Sequence, residues 1–411
     1  MVGLNIVAAF VGCGGIRLHC GHNSMFWMQQ KAVLWMGKWE MVRLGDVLEY
    51  EQPTKYIVES TDYSNDYSTP VLTAGQSFIL GYTNEQNNIF NESLPVIIFD
   101  DFTTAIKYVD FPFKVKSSAM KILKAQKDVD IKFMYYYMSR IKVDTELHKR
   151  YWVSMYSNIQ IPLPPLPIQQ KIAHILDRAN ALMEKRKAQI EKLDLLVKSQ
   201  FVEIFGDPVT NPMGWEVKRL GEVFKIRSSK RVYQHEQTNE GVPFLRVSDL
   251  TSRIINGVDS CSLYISKELF DAYRKSGYVP KVGDILVTSR GTLGLCYIVQ
   301  DTDEFYFQDG MISWLSQKKV EVSSDYILYL FCTGGIKRQI ERASAGSTVG
   351  YLSLGNLENL NIMFPPYTLQ TQFAAFVERM EAQKAQLKKS LALLELNYKS
   401  LMQKCFSGEM F

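Results

Sequence analysis

Leu163-Pro164-Pro165-Leu166-Pro167-Ile168-Gln169-Gln170 lies in the first half of the chain, and Phe364-Pro365-Pro366-Tyr367-Thr368-Leu369-Gln370 lies near its end. Each stretch opens a long segment with the same apolar spacing. From Ile172, steps of four and three reach Leu176, Ala179, Met183, Arg186, Ile190, Leu193, Val197, Gln200 and Ile204. From Phe373 they reach Val377, Met380, Lys384, Leu387, Leu391, Leu394, Tyr398, Leu401 and Cys405. This is the 3.5-residue period of a coiled coil, sustained over roughly four heptads. One constant offset superposes both seams, both Pro-Pro pairs, Gln169 on Gln370 and Ser199 on Ser400. Proline starts a helix well and interrupts one badly, so each pair ends an extended segment and launches a rod. A rod of about 35 residues would be roughly 50 Å long.

Outward from the rods the chain repeats. Trp39-Glu40-Met41-Val42-Arg43-Leu44-Gly45-Asp46-Val47 returns as Trp215-Glu216-Val217-Lys218-Arg219-Leu220-Gly221-Glu222-Val223. Between opening and rod, each half reads as short strands separated by turn residues. In the first half the candidates are Pro70 to Thr73, Pro95 to Phe99, Pro112 to Val115 and Met120 to Leu123. In the second they are Pro243 to Val247, Ile285 to Thr288, Cys296 to Val299 and Met311 to Leu315. One helix follows in each, over Ile131 to Arg140 and Ser324 to Phe331, with Tyr and Leu at core spacing. Asn211-Pro212-Met213-Gly214 makes a turn between the halves. The expectation is an α+β chain of two globules and two long antiparallel coiled-coil helices, a pseudo-twofold dumbbell. Its segments are a leader over 1–35, a globule over 36–162, a helix over 163–206, a linker over 207–214, a globule over 215–364 and a helix over 365–411.

The chain of 411 residues is 46% hydrophobic and 22% charged, with a formal charge of +4. That is the balance of a globular protein and says nothing by itself about a nucleic-acid partner. Six cysteines without paired spacing suit a reducing cytoplasm. The first 35 residues have no counterpart in the second half. They lack the basic start of a signal peptide and are too short in apolar run to span a bilayer. Cys13, His19, Cys20 and His22 match no common zinc spacing. Met36-Gly37-Lys38-Trp39 stands where Met213-Gly214 and Trp215 stand later, so Met36 is the expected translation start.

No Walker-type phosphate loop and no dinucleotide fingerprint is present. Phe364-Pro365-Pro366-Tyr367 looks like the Asn/Asp-Pro-Pro-aromatic motif of amino-methyltransferases. Phe364, however, offers no oxygen to accept from an exocyclic amine, and the other copy, Leu163 to Leu166, is plainly a helix starter. His148, His174 and His235 have no patterned partner. The globules offer basic and hydroxyl-rich loops instead. Lys225, Arg227, Lys230, Arg231 and Tyr233 could replace counterions along a DNA backbone, or be a solvated loop. Ser289, Arg290 and Thr292 follow a strand, and a lone arginine there could reach a guanine edge. Lys337, Arg338, Arg342, Ser347 and Thr348 precede the final strand. Gln76, Tyr82, Asn84, Thr103, Thr104 and Lys107 are the comparable positions of the first globule.

The doubled opening, the Pro-Pro-Leu-x-x-Gln-Gln rod start, Gly75 to Thr83 and Val282-Gly283-Asp284-Ile285-Leu286-Val287-Thr288-Ser289-Arg290-Gly291-Thr292-Leu293-Gly294 together resemble the specificity subunit of type I restriction-modification systems. The resemblance covers nearly everything from Met36 to Phe411. It implies two target-recognition domains that each read part of a bipartite site in double-stranded DNA. The helices would set the spacing and dock two modification subunits, with restriction subunits joining them. It implies no catalytic residue, metal or cofactor in this chain. S-adenosylmethionine, ATP and Mg would belong to the partners. Two other classes stay open at this stage, a protein-interaction scaffold and a self-sufficient DNA methyltransferase. Neither class needs a membrane.

Overall fold

The computed structural model describes residues 39–73, 77–142, 150–259, 261–344 and 350–411. The leader, with its cysteines, histidines and Met36, lies outside them, as does His148. Two compact units emerge. One runs to Met183 and takes in Leu393–Phe411, and the other is Glu184–Ala392.

The first unit contains β1 (Glu40–Arg43), β2 (Leu48–Glu51), β3 (Thr69–Leu72), β4 (Ile79–Thr83), β5 (Val96–Asp100), β6 (Ile106–Val109), β7 (Lys114–Val115), β8 (Met120–Ala125) and β9 (Gln160–Leu163). An antiparallel sheet has the order β2-β8-β5-β6, a smaller one has β4-β3-β7, and β1 pairs with β9. Side chains alternate faces along a strand, and β5 uses both. Ile97 and Phe99 pack among the helix Ile131–Met138, Trp152, Ile172 and Leu176, while Val96 and Ile98 pack with Leu72, Phe90 and Val115. A strand apolar on both faces must be covered on both. Here helices cover one face and the small sheet the other.

The second unit repeats the plan with β10 (Glu216–Arg219), β11 (Phe224–Arg227), β12 (Gln237–Thr238), β13 (Val242–Leu245), β14 (Tyr264–Ile265), β15 (Ile285–Thr288), β16 (Cys296–Ile298), β17 (Tyr306–Phe307), β18 (Ile312–Lys318) and β19 (Asn361–Phe364). The orders are β11-β18-β15-β16, β12-β14-β13-β17 and β10-β19. Even the parallel pair recurs, β3 with β7 and β13 with β17. The recurring Leu-Gly of the openings has a steric cause. A Cβ on Gly45 would stand 3.0 Å from Ser157 Cβ, and one on Gly221 would stand 3.1 Å from Glu358 Cβ.

The second unit also departs from the sequence expectation of few helices. Val247–Asn256 and Lys267–Lys275 are helical, and so is Gly334–Ser344, which carries the basic residues read above as part of a loop. The first ends at Gly257 in the left-handed region (φ 64°), and the second is capped by Ser266, whose hydroxyl accepts from the Leu269 amide.

The long helices are Leu166–Phe205 and Tyr367–Phe406, each of 40 residues. At 1.5 Å per residue each is about 60 Å long. Each begins at the residue directly after its Pro-Pro pair, where proline starts a helix. The first unit holds Ile172, Leu176, Met183, Leu394, Tyr398 and Leu401 of the seams. The second holds Ile190, Leu193, Val197, Ile204, Phe373, Val377, Met380, Leu387 and Leu391. None of these side chains is exposed. Within the second unit the helices run antiparallel. Lys384 Nζ lies 2.7 Å from Asp194, while Phe201 and Phe205 both lie 5.5 Å from Phe373, ring to ring.

The paired glutamines explain why the rod start is repeated. Gln169 Oε1 accepts from the Asp130 amide (2.8 Å), and its Nε2 donates to the Pro164 carbonyl (2.8 Å) and to Asp128 O (3.3 Å). Gln370 Oε1 accepts from the Ser323 amide (3.0 Å), and its Nε2 donates to the Pro365 carbonyl (2.8 Å). Asp130 and Ser323 are the N-caps of Ile131–Met138 and Ser324–Phe331. Each buried amide therefore clasps the start of a long helix to the globule beside it.

Candidate nucleic-acid interface

In the second unit, Arg227 pairs with Trp314 and Thr288 with Ile312, so β11 and β15 end where β18 begins. Three loops therefore leave one edge of the sheet, Ser228 to Tyr233, Ser289 to Leu295, and Gln308 to Met311. They are tied together. The Gly310 amide donates to Ser228 Oγ (3.0 Å), the Ser289 amide donates to Met311 O (2.9 Å), and Arg231 pairs with Asp309 (2.8 Å). The Ser289 loop turns through Gly291 (φ 70°) and Gly294 (φ 77°). A Cβ on Gly294 would collide with Ile340 Cδ1, so glycine brings this loop against Gly334–Ser344. On its other side Ser289 O accepts from the Leu352 amide (3.0 Å), and Arg290 bridges to Tyr351.

The candidates of this unit separate by what already holds them. Ser289 is 1% exposed and shares a 2.6 Å hydrogen bond with Ser313, so it supports the loop from inside. The Arg227 guanidinium lies over the Trp314 ring at 3.9 Å and donates to the Gly277 carbonyl, a packing role. Below it Trp314 Nε1 donates to Asp284 (2.9 Å), whose carboxyl burial pushes above its ordinary range. Lys230 lies over the Tyr273 ring at 5.2 Å. Lys225 points to solvent from β11. Tyr233 is 57% exposed and stacks on His235 at 5.8 Å between centroids.

Arg290, Thr292, Lys337, Arg338 and Arg342 are exposed. Ile336 and Ile340 turn inward on the helix Gly334–Ser344, leaving its three cations on the solvent side. The Arg290 guanidinium lies 5.4 Å from the Tyr351 ring, a cation–π contact of about 0.5–1 kcal/mol at an exposed site. Among the described residues no carboxylate pairs with any of these four cations. Ser347 and Thr348 lie outside the described residues.

The first unit has the equivalent edge. β5 ends at Asp100, and the Tyr151 amide donates to Asp101 O (3.0 Å), as the Leu352 amide does to Ser289 O. Thr103 Oγ1 donates to the Asp100 carboxylate, and Thr104 holds φ 61°. Lys107 sits over the Phe78 ring at 5.8 Å. Phe102 stands exposed, and no arginine occupies the Asp101 to Thr104 loop. Tyr82 and Asn84 are at the opposite end of β4 from Phe78, and Tyr82 lines a cavity of about 460 Å³ with Thr69, Pro70, Ile79 and Phe111. They do not join Thr103, Thr104 and Lys107. Gln76 lies outside the described residues. Tyr351 and Phe102 were missed in the sequence because an aromatic beside a turn has no periodic signature.

Residues 36–192 and 212–396 each match the type I restriction modification DNA specificity domain. The chain belongs to this family. It is 40% identical over 248 residues to a type I restriction enzyme specificity subunit of Escherichia coli, a match spanning 56% of this chain and 59% of that one. It is 26% identical over 379 residues to a specificity subunit of Methanocaldococcus jannaschii, spanning 84% and 85%. The fold is similar to the crystal structure of a type I restriction-modification S subunit from M. genitalium. The TM-score is 0.57 at 17% identity, covering 90% of this chain and 96% of that one. In this member of the specificity family, no group of three His, Cys, Asp or Glu among the described residues is placed to hold a metal ion. Among the same residues no helix is long and apolar enough to cross a membrane.

Proposed function

We propose that this chain recognises DNA for a type I restriction-modification complex, each globule reading one half of a bipartite site. The observation that carries this reading is a repeated scaffold with unlike loops. Ser289 to Thr292 and Asp101 to Thr104 hang from equivalent strands by equivalent hydrogen bonds, yet one presents an arginine and the other hydroxyls and Phe102. Shared framework with divergent tips suits two different short sequences read in one geometry. The long helices set the separation of the half-sites and dock modification subunits, two in number. Leu195 and Leu396 support docking. They occupy the same place in the two helices, off the seam, and are 62% and 63% exposed. Methyl transfer from S-adenosylmethionine and Mg- and ATP-dependent cleavage fall to the modification and restriction subunits.

The test is exchange of Trp215 to Phe364 for the corresponding segment of a relative, followed by methylome sequencing of cells carrying the complete system. One half of the methylated motif should change while the other half and the spacing persist. Simultaneous change of both halves, or no motif that depends on this chain, would refute the proposal.

A further inference from the structure

We infer that Arg290 is a specificity-determining residue of the second globule and reads one guanine in the major groove, while Lys337, Arg338 and Arg342 hold the flanking phosphates. This deepens the DNA-recognition reading and rests on it. The four cations come from segments about fifty residues apart in sequence, and the fold unites them through the close packing of Gly294 on Ile340.

Two kinds of placement distinguish their roles. Arg290 is on a short loop whose backbone is fixed on both sides, by Ser289 to Met311, by Ser289 to Leu352 and by the bridge to Tyr351. The Tyr351 ring lies 5.4 Å from the guanidinium, within cation–π range. A side chain that must find one base edge benefits from such fixing, because the geometry of two parallel hydrogen bonds is demanding. A phosphate contact does not need it. Guanine is the base that presents two adjacent acceptors, O6 and N7, to the two parallel N–H groups of an arginine. Thr292 is exposed on the same loop.

The helix residues look different. Arg338 and Arg342 are one turn apart on a solvent-facing ridge with Lys337 beside them, and the buried Ile336 and Ile340 anchor the opposite side. Their one acidic neighbour on the exposed face, Glu341, forms no ion pair with any of them in the structure. Three uncompensated cations in a row fit a sugar-phosphate backbone, whose charges they would neutralise with release of counterions.

The experiment uses the full chain within its complete modification complex. Three forms are compared with wild type by methylome sequencing and by competition binding to duplexes varied one base pair at a time. They are Arg290→Ala, Arg290→Lys and the triple Lys337→Ala, Arg338→Ala, Arg342→Ala. Arg290→Ala should lose the guanine requirement at one position only, discrimination there falling roughly tenfold to a hundredfold. Arg290→Lys should keep a reduced preference for guanine. The triple variant should keep the motif, bind more weakly to all sequences, and lose about 0.9 from the log-log salt slope per phosphate contact removed. Uniform weakening in Arg290→Ala with the motif intact, or an unchanged motif at full affinity, would overturn the assignment while leaving DNA recognition standing. A wild-type complex without any sequence preference would overturn the recognition reading beneath it.

Discussion

Replacing Gln370 by alanine tests whether the glutamine clasp holds a globule to its long helix. Gln370 is 0% exposed, and its amide is the partner of the Ser323 amide and the Pro365 carbonyl. Alanine leaves both backbone groups without that partner in a site closed to water. An unsatisfied buried group costs about 1–3 kcal/mol, so the pair costs about 2–6 kcal/mol and a mid-range value is about 4 kcal/mol. The loss should be local, because Ser323 caps Ser324–Phe331. Hydrogen exchange read by mass spectrometry should show the first turn of that helix opening several hundredfold more often, at about 1.4 kcal/mol per factor of ten, while Ile131–Met138 keeps its protection. Gln169→Ala should do the reverse. Gln370→Met fills the volume without the amide and should stay close to Gln370→Ala. If Gln370→Ala and Gln370→Met both exchange as wild type, within about 0.5 kcal/mol, the clasp is ornamental and the reasoning fails.

Two further outcomes follow from other contacts. Lys114 is buried, with its Nζ 2.8 Å from Glu85. Glu85→Ala leaves that charge with the Asn87 carbonyl alone (2.9 Å) and should destabilise the first unit by about 3 kcal/mol at pH 7, the low end for a broken buried pair, measured by urea denaturation. Burial alone would raise the Glu85 pKa, but the Lys114 hydrogen bond and the Ser60 and Glu59 amides outweigh it and hold it below 4.5. A depressed carboxylate pKa means the contribution is complete above 4.5 and disappears as pH falls through the lower folded-state value, so variant and wild type should converge in acid. A gap that persists at pH 2 would point to packing instead. Leu195→Lys with Leu396→Lys should leave helix content and melting unchanged yet reduce co-purification of the modification subunit, and undiminished capture would remove these leucines from the docking surface.

The repeat was readable because three independent signals, a breaker, a heptad seam and an opening motif, coincide under one offset. The strands were readable where apolar runs are bounded by turn residues, as at Pro95 to Phe99, which became β5. The three longer extra helices of the second unit were not. Val247–Asn256 buries Leu250, Lys267–Lys275 buries Phe270 and Tyr273, and Gly334–Ser344 buries Gly335, Ile336 and Ile340. Each has its apolar residues at helical spacing, Leu250 with Ile254, Phe270 with Tyr273 and Ile336 with Ile340, but over only 10, 9 and 11 residues, too short a stretch to stand out beside the 40-residue helices. The candidate interface was legible as a chemistry and illegible as a place. Ser289 and Arg290 are neighbours in sequence, yet one is sealed against Ser313 and the other faces solvent. Arg227 reads as a phosphate contact until the sheet sets Trp314 beneath it.

The clasp addresses main-chain atoms. It grips an amide that belongs to Asp130 in one globule and to Ser323 in the other, and a carbonyl of proline in both. That part of the joint does not depend on which side chains the globule carries there. Genetic crossover within the codons for the Pro-Pro-to-Gln segment would hand over a whole globule with its fastening intact. The packing of Ile172 and Leu176 on the first globule, and of Phe373 and Val377 on the second, would still have to fit the newcomer.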